Sequence, residues 1–384
     1  MHVPKLSGGM AQAQEVPVRV ALIFGGRSVE HHVSVRSART VLAALSSAGH
    51  DVLCLGINEA GVWHDPAVSR AVLEADLKDH PALPPGGGIA GSVRHLLDAH
   101  VDVVFPIVHG TFGEDGALQG LCEMIDVPYV GCGVSASAVA MDKVLSKRLF
   151  QAAGLPVVPF AAINRQQFDS AASDEERLAC LRGFADGPYP LFVKPSVGGS
   201  SVGCKLVKTR TELLSSIAFA LRFDEVALVE RGVKAREVEV AVLGAQASSM
   251  EASLIGEIIP GSEFYDYEDK YLKDDARLLA PAPVTEALAS RLRETAIHAM
   301  AAIGGYGLAR VDFFLMDDGS FFLNEINTLP GFTSVSMYPR LWELSGVPLP
   351  HLVSRLVELA QQRHGRAQRT QQSLRDFVAS VAPT

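Results

Sequence analysis

The sequence predicts an α/β to α+β protein of about three domains with a ligand cleft between them. Three observations lead there. The chain opens with a β-α-β pattern of the kind that builds parallel sheets. Its middle carries short apolar strands on either side of a Gly/Ser-rich loop. Its last third holds a long alternating strand and a hairpin whose strands contain charged residues.

The elements follow in order. Val18 to Phe24 is a short apolar run ending at Gly25-Gly26, a buried strand feeding a loop. Ser34 to Ala48 has helical periodicity and stops at Gly49, a suitable C-cap. Asp51 to Ile57 and Val101 to Val108 read as further strands, and Pro81 to Gly88 as a loop. Strands are expected at Pro190 to Pro195, at Cys204 to Lys208 and at Ala227 to Glu230. The strict alternation of Arg236 to Gly244 predicts a half-exposed strand. A helix follows from about Glu286 to Ile303. The expected division is a disordered tail at 1–17, an N-terminal α/β domain at 18–131, a central domain at 132–229, a C-terminal domain at 230–364 and a polar tail at 365–384. The stretch from Gln361 onward reads as fraying after a helix.

Composition narrows the function. The 384 residues carry a net charge of -9, which opposes general nucleic-acid binding, because that needs a positive surface. Cys54, Cys122, Cys132, Cys180 and Cys204 form no C-x-x-C pair and are odd in number, so free thiols in a reducing cytoplasm are expected. No apolar run reaches the ~18 residues of a membrane helix. The first residues lack the apolar core of a signal peptide.

The hairpin is the most informative feature. Leu308 to Met316 and Phe321 to Asn327 are strand-like and flank Asp317-Asp318-Gly319-Ser320. Asp-Gly favours a two-residue turn. With Asp318-Gly319 as that turn, Asp317 pairs with Ser320, Asp312 with Glu325 and Arg310 with Asn327. Paired residues and residues two apart share a face. Two carboxylates and an amide then offer hard oxygen ligands for Mg²⁺, with an arginine beside them for a phosphate or oxyanion. A surface salt-bridge patch would use the same residue types. However, polar Asn324, Glu325 and Asn327 within an apolar strand are costly unless each has a partner.

Gly198 to Gly203 resembles a P-loop only superficially. Cys204 stands where the motif needs lysine, and a strand follows instead of a helix. A Gly/Ser-rich hairpin loop remains, able to lay backbone N–H groups over phosphates. Lys194, in an apolar strand just before it, needs an anion or a buried carboxylate. Ser200 is either a turn residue or part of that site.

Other candidates sit on loops. Glu30 either caps the first helix or compensates its dipole, or it meets a ligand. His109 and Glu114 follow a strand C-terminus, where α/β folds place ligands, although His109 could simply pack its loop. Tyr265, Tyr267, Lys270 and Tyr271 crowd one stretch that suggests a lid.

Taken together, FGGRSVEHHVS, VHGTFGEDGALQG, AMDK, VKPSVGGSSVG, VERGVKAREVEV, EFYDYEDKYL, ARVDFF and NEINTLPGFTSVSMYP resemble the D-alanine–D-alanine ligases of the ATP-grasp superfamily, from about Val18 to Ala360. The resemblance implies a three-domain ATP-grasp architecture, with a parallel-sheet N-terminal domain and ATP held between the central and C-terminal domains. It implies that Lys143, Lys194 and Lys270 contact phosphates, and that Glu230, Glu237, Tyr265 and the backbone of Val233 hold the nucleoside. Asp312, Glu325 and Asn327 would ligate two Mg²⁺ or Mn²⁺ ions, with Arg310 and Gly331 as the oxyanion site. Glu30 and His109 would meet the first D-alanine, and Ser336 the carboxylate of the second. Glu30, Ser200 and Tyr271 would link three loops. The implied chemistry is dipeptide formation through an acyl phosphate, in a cytoplasmic homodimer with neither membrane nor nucleic acid as partner. D-alanyl-D-lactate or D-alanyl-D-serine synthesis is the alternative for the second substrate. A nucleotide-binding scaffold without turnover is opposed by the intact Arg310, Asp312, Glu325, Asn327 and Ser200. His32 departs from the family pattern and would alter the charge around Glu30.

Overall fold

The computed structural model describes residues 17–76, 82–85, 88–181, 183–259 and 277–381. Three parallel strands form the first sheet, in the order β2-β1-β3: β1 (Arg19–Gly25), β2 (Asp51–Ile57) and β3 (Val103–Ile107). Their side chains are apolar on both faces, as a sheet covered on both sides requires. Helix α1 (His31–Ser47) connects β1 to β2. Gly25 turns the chain out of the sheet with φ +90, where an added Cβ would lie 2.0 Å from the Ile57 carbonyl oxygen. The stretch from Ala60 to Ser92, silent in the sequence, holds α2 (Pro66–Glu74) and the start of α3 (Ile89–Asp98). Asp65 caps α2 by accepting from the Val68 N–H, with proline at the first helical position.

Helices α4 (Ala117–Met124), α5 (Val134–Met141) and α6 (Lys143–Ala152) lead to a four-stranded antiparallel sheet. Its order is β4-β7-β5-β6, from β4 (Phe160–Asn164), β5 (Leu191–Pro195), β6 (Lys205–Val207) and β7 (Val226–Arg231). Helices α7 (Arg165–Ser170), α8 (Asp174–Ala179) and α9 (Arg210–Ala220) complete this region. The five-stranded sheet runs β10-β9-β8-β11-β12, from β8 (Arg236–Gly244), β9 (Glu251–Ile259), β10 (Arg277–Leu279), β11 (Gly307–Leu315) and β12 (Phe321–Asn327). Helix α10 (Glu286–Ala302) packs on it. Two further helices, α11 (Met337–Leu344) and α12 (Leu349–Val381), return to the first sheet.

Four findings differ from expectation. Strand β8 is buried along both faces after Glu237 instead of half-exposed, because Val238, Val240 and Val242 pack into one apolar cluster and Ala241 and Leu243 into another. Cys132, Ala140, Phe150 and Val157, expected in the central unit, pack with the five-stranded sheet. The chain after Gln361 stays helical to Val381. Leu374, Phe377, Val378 and Val381 recur there at helical spacing among polar neighbours. The fourth concerns the hairpin turn. Met316 pairs with Ser320 around a three-residue loop, with the Met316 N–H donating to the Ser320 carbonyl at 2.9 Å. That is one residue longer than the two-residue turn expected.

The hydrophobic interior falls into clusters. Val20, Phe24 and Phe105 of the first sheet share one with Phe332, Tyr338, Leu341, Leu352 and Leu356. The four-stranded sheet has its own, centred on Leu191, Val193, Leu213 and Ile217. All five cysteines are free, Cys54, Cys122 and Cys132 buried and Cys180 and Cys204 half-buried.

Gly319 closes the hairpin at φ +79 with nothing near its Cβ position. Gly319→Ala is therefore expected to cost about 1 kcal/mol through backbone strain alone, seen as a lowered urea midpoint with unchanged slope.

Candidate active site

One cleft of about 780 Å³ gathers residues from both antiparallel sheets and from α1 and the loops that follow β1 and β3. Its floor is the β11–β12 hairpin. A bulge at Asn324 shifts the register between Asp312 and Phe313, so Phe313 faces Leu323 while Asp312 faces Glu325 and Arg310 faces Asn327. The extra turn residue and the bulge cancel. The pairing expected from sequence is present, by a different route. Bulges of this kind re-aim side chains beside functional sites.

Arg310 donates from Nε and Nη2 to the two oxygens of Asp312, both at 2.7 Å. Burial weighs against its charge, but Asp312 and Glu239 outweigh that and hold its pKa well above the usual value. Asn327 donates from Nδ2 to Asp312 Oδ2 at 2.9 Å. That bond leaves the amide oxygen of Asn327 as a donor for a cation. The set Asp312, Glu325 and Asn327 therefore fits a hard divalent ion that completes its shell with phosphate oxygens. Among the described residues, no group of three or more His, Cys, Asp or Glu is placed to hold a metal on its own.

The cleft wall is the β5–β6 loop. Ser200 and Ser201 adopt φ +53 and +58, a left-handed conformation rare for serine and frequent at functional sites. Ser200 Oγ donates to Glu30 Oε1 at 2.5 Å, so the start of α1 and the β5–β6 loop meet here. Glu30 sits at the N-cap of α1 without a side-chain capping bond, where its charge also suits the helix dipole. Its neighbour His32 has a side chain 85% exposed that lies 3.6 Å from Glu59 and is not among the residues lining the cleft.

Both lysines expected to contact phosphates line the cleft. Lys143 Nζ donates to the Gly198 carbonyl at 2.5 Å and lies 3.9 Å from Glu325. Lys194 lies 2.6 Å from Glu230, the buried carboxylate that its apolar strand called for. Glu230 also contacts Lys147 at 2.6 Å, and both Glu230 and Lys147 are almost wholly buried. Glu230, expected at the nucleoside, thus meets two ammonium groups. Glu237, also expected there, does line the cleft, and Val233 lies in the connection between β7 and β8. Sequence reasoning missed Lys147. Its spacing four residues after Lys143 on one helix was the available signal.

Burial pushes against ionisation of Glu230, but the two lysines outweigh it and take the carboxylate down to about 2. For Lys194, Glu230 likewise outweighs burial and raises the pKa, whereas burial dominates at Lys147 and lowers it.

On the other side, His109 is buried between Leu329, whose carbonyl lies 3.1 Å from Nδ1, and Ser37, 3.1 Å from Nε2. Burial opposes a charged ring, but Glu114 at 3.4 Å outweighs it and raises the pKa. Ser37 accepts from the Phe332 N–H, so His109 also braces the segment that carries Gly331 and Ser336. A Cβ on Gly331 would lie 2.9 Å from Ser336 Oγ. Ser336 in turn accepts from the Thr333 N–H at 2.9 Å. Tyr265, Tyr267, Lys270 and Tyr271 lie outside the described residues.

Two family models cover most of the chain. The D-ala D-ala ligase N-terminus matches residues 19–132, and the D-ala D-ala ligase C-terminus matches residues 149–358. The chain belongs to the D-alanine–D-alanine ligase family. A curated D-alanine–D-alanine ligase of Treponema pallidum is 45% identical over 90% of this chain and 89% of its own. The solved D-alanine–D-alanine ligase of Coxiella burnetii superposes with a TM-score of 0.74 at 33% identity, covering 95% and 99% of the two chains. The VanG D-Ala:D-Ser ligase of Enterococcus faecalis gives the same TM-score at 30% identity, covering 90% and 100%. Family membership accounts for the parallel N-terminal sheet and for the cleft between two antiparallel sheets. Among the described residues no helix is long and apolar enough to cross a membrane.

Glu230 contributes stability that is fully present above its ordinary value of 4.5 and is lost as pH falls toward about 2. Glu230→Gln is expected to lose roughly 3–5 kcal/mol near neutral pH, since it leaves two buried lysines facing an amide. Over that acid window its stability should vary less with pH than the parent's, as urea midpoints would show.

Proposed function

We propose that this chain joins two D-alanine molecules to D-alanyl-D-alanine with ATP, supplying the dipeptide for peptidoglycan. The observation that carries the reading is the hairpin register. It aims Arg310, Asp312, Glu325 and Asn327 into the same cleft as Lys143, Lys194 and the Glu30–Ser200 pair. Family membership supplies the substrates.

In this reading Lys143 and Lys194 bind the phosphates, with Lys270 from the lid as a third cation. Glu237, Tyr265 and the Val233 backbone hold the nucleoside, while Glu230 fixes Lys194. Glu30 pairs with the ammonium of the first D-alanine, and Ser200 and Tyr271 hold Glu30 in place. His109 braces this end of the cleft. A carboxylate oxygen of the first D-alanine attacks the γ-phosphorus, the bond to ADP breaks, and an acyl phosphate forms. The amine of the second D-alanine, anchored by Ser336, then attacks the acyl carbon and phosphate leaves. Arg310 and the Gly331 backbone oppose the negative charge on the carbonyl oxygen. Asp312, Glu325 and Asn327 would hold two Mg²⁺ or Mn²⁺ ions, which supply charge neutralisation at the transferring phosphoryl group. The same reading carries a cytoplasmic homodimer with no membrane or nucleic-acid partner.

Second-substrate choice favours D-alanine. The curated relatives at 42–45% identity are named D-alanine–D-alanine ligase, and among solved structures the Coxiella burnetii D-alanine–D-alanine ligase is 33% identical against 30% for the D-Ala:D-Ser ligase. Incubation with Mg-ATP and D-alanine, with D-serine and D-lactate in competition, should give D-alanyl-D-alanine as the main product. Absence of any dipeptide would refute the proposal. Glu325→Gln removes one metal charge at the cleft floor and is expected to lower kcat by about a hundredfold or more with its melting temperature little changed. Parent-like turnover would remove Glu325 from the metal set.

A further inference from the structure

Glu239 lies on β8 directly opposite Asp312 of β11. It lines the cleft, yet only 3% of it is exposed. A carboxylate so deep is costly unless a cation is close. Its Oε1 is 3.2 Å from Arg310 Nε. Asp312 takes Nε and Nη2 of the same guanidinium in a fork. Among the described residues the remaining nitrogen of Arg310, Nη1, has no hydrogen-bond partner.

We propose that Glu239 is a positioning residue for Arg310, holding the buried side of the guanidinium so that Nη1 stays presented to the cleft. This deepens the ligase reading and rests on it. Asp312 cannot do the work alone. It also accepts from Asn327 and faces Glu325, so any cation held there draws on the oxygens that grip Arg310. Weakening that fork would free a long side chain to follow Asp312 or turn toward Glu325. Glu239 comes from a different strand, outside the hairpin that carries the cation ligands. It acts on Nε as a nearby charge, since the single Nε hydrogen goes to Asp312, and it does so from a strand that carries none of the cation ligands. Lysine at position 310 could not replace this arrangement, since it lacks separate nitrogens for the anchor and for the reacting oxygen.

A different role for Glu239, as one more carboxylate for the metal, makes a distinct prediction. Glu239→Gln keeps the shape and removes the charge. Positioning through Arg310 predicts that kcat falls about 10- to 100-fold while KM for ATP stays within about threefold. Mn²⁺ binding with ADP present, followed by electron paramagnetic resonance, should stay within about threefold of the parent, because the ion's ligands are intact. In an Arg310→Lys background the same substitution should add little, since both changes disable one unit. Loss of Mn²⁺ binding by tenfold or more assigns Glu239 to the metal and overturns the proposal. Independent, multiplicative losses in the double variant overturn it as well, and so does an unchanged kcat. Should Glu239→Gln fail to fold, Glu239→Asp keeps the charge but withdraws it by one methylene. That variant should melt near the parent and still lose kcat, and a parent-like kcat would overturn the proposal. Dipeptide formation by the parent is measured alongside. An inactive parent sinks the ligase reading and this inference together, whereas an active parent matched by its Glu239 variants sinks this inference alone.

Discussion

The contact on which the site depends is buried and touches no substrate. Lys147 reaches from α6 to Glu230 on β7, and its ammonium also donates to the Asn324 carbonyl at 3.1 Å. Asn324 is the bulge residue of the hairpin. One side chain therefore ties the four-stranded sheet to the irregularity that aims Glu325. Without an acceptor role for that carbonyl, the bulge would bury an unsatisfied polar group. Without Lys147, Glu230 would hold Lys194 alone, and two sheets would lose their fixed relation at the point where ATP chemistry needs it.

Charge burial follows a pattern across the cleft. Among the described residues, two of the buried ions have partners on more than one element. Glu230 meets lysines from α6 and β5, and Arg310 meets carboxylates from β8 and β11. Such sets are expensive to desolvate, and their value lies in geometry rather than in net stability. A single pair could pivot. Two partners from different strands fix both the position and the orientation of the side chain, as a preorganised site requires.

Much of this was legible in the sequence because it depends on local rules. Apolar runs marked β1, β2, β3 and β5, and Asp-Gly marked the hairpin. Polar residues in an apolar strand marked Glu325 and Asn327, and Lys194 announced its need for a carboxylate. The identity of that carboxylate was not readable, because Glu230 lies on a strand that only the tertiary fold places beside β5. Glu239 was overlooked for a related reason. Alternation along Arg236 to Gly244 looks the same whether the polar face meets water or a guanidinium. The turn length and the bulge were both misjudged, and they cancelled because each moves the register by one residue. Pairing at Asp312 and Glu325 therefore stood on a count that erred twice.

The distribution of apolar clusters bears on how the protein moves. The first sheet is fused to the C-terminal helices through Phe105, Phe332, Tyr338 and Leu352, whereas the four-stranded sheet keeps a separate interior around Leu191 and Ile217. Residues in one continuous interior open and close as one cooperative unit, and a unit with its own interior can shift without unpacking its neighbours. The first sheet, the hairpin and the C-terminal helices thus form one packed frame that carries Glu30, Arg310 and Ser336, and the four-stranded sheet, with Lys194 and the serine loop, is a separately packed unit held to that frame at Lys147 and at Ser200.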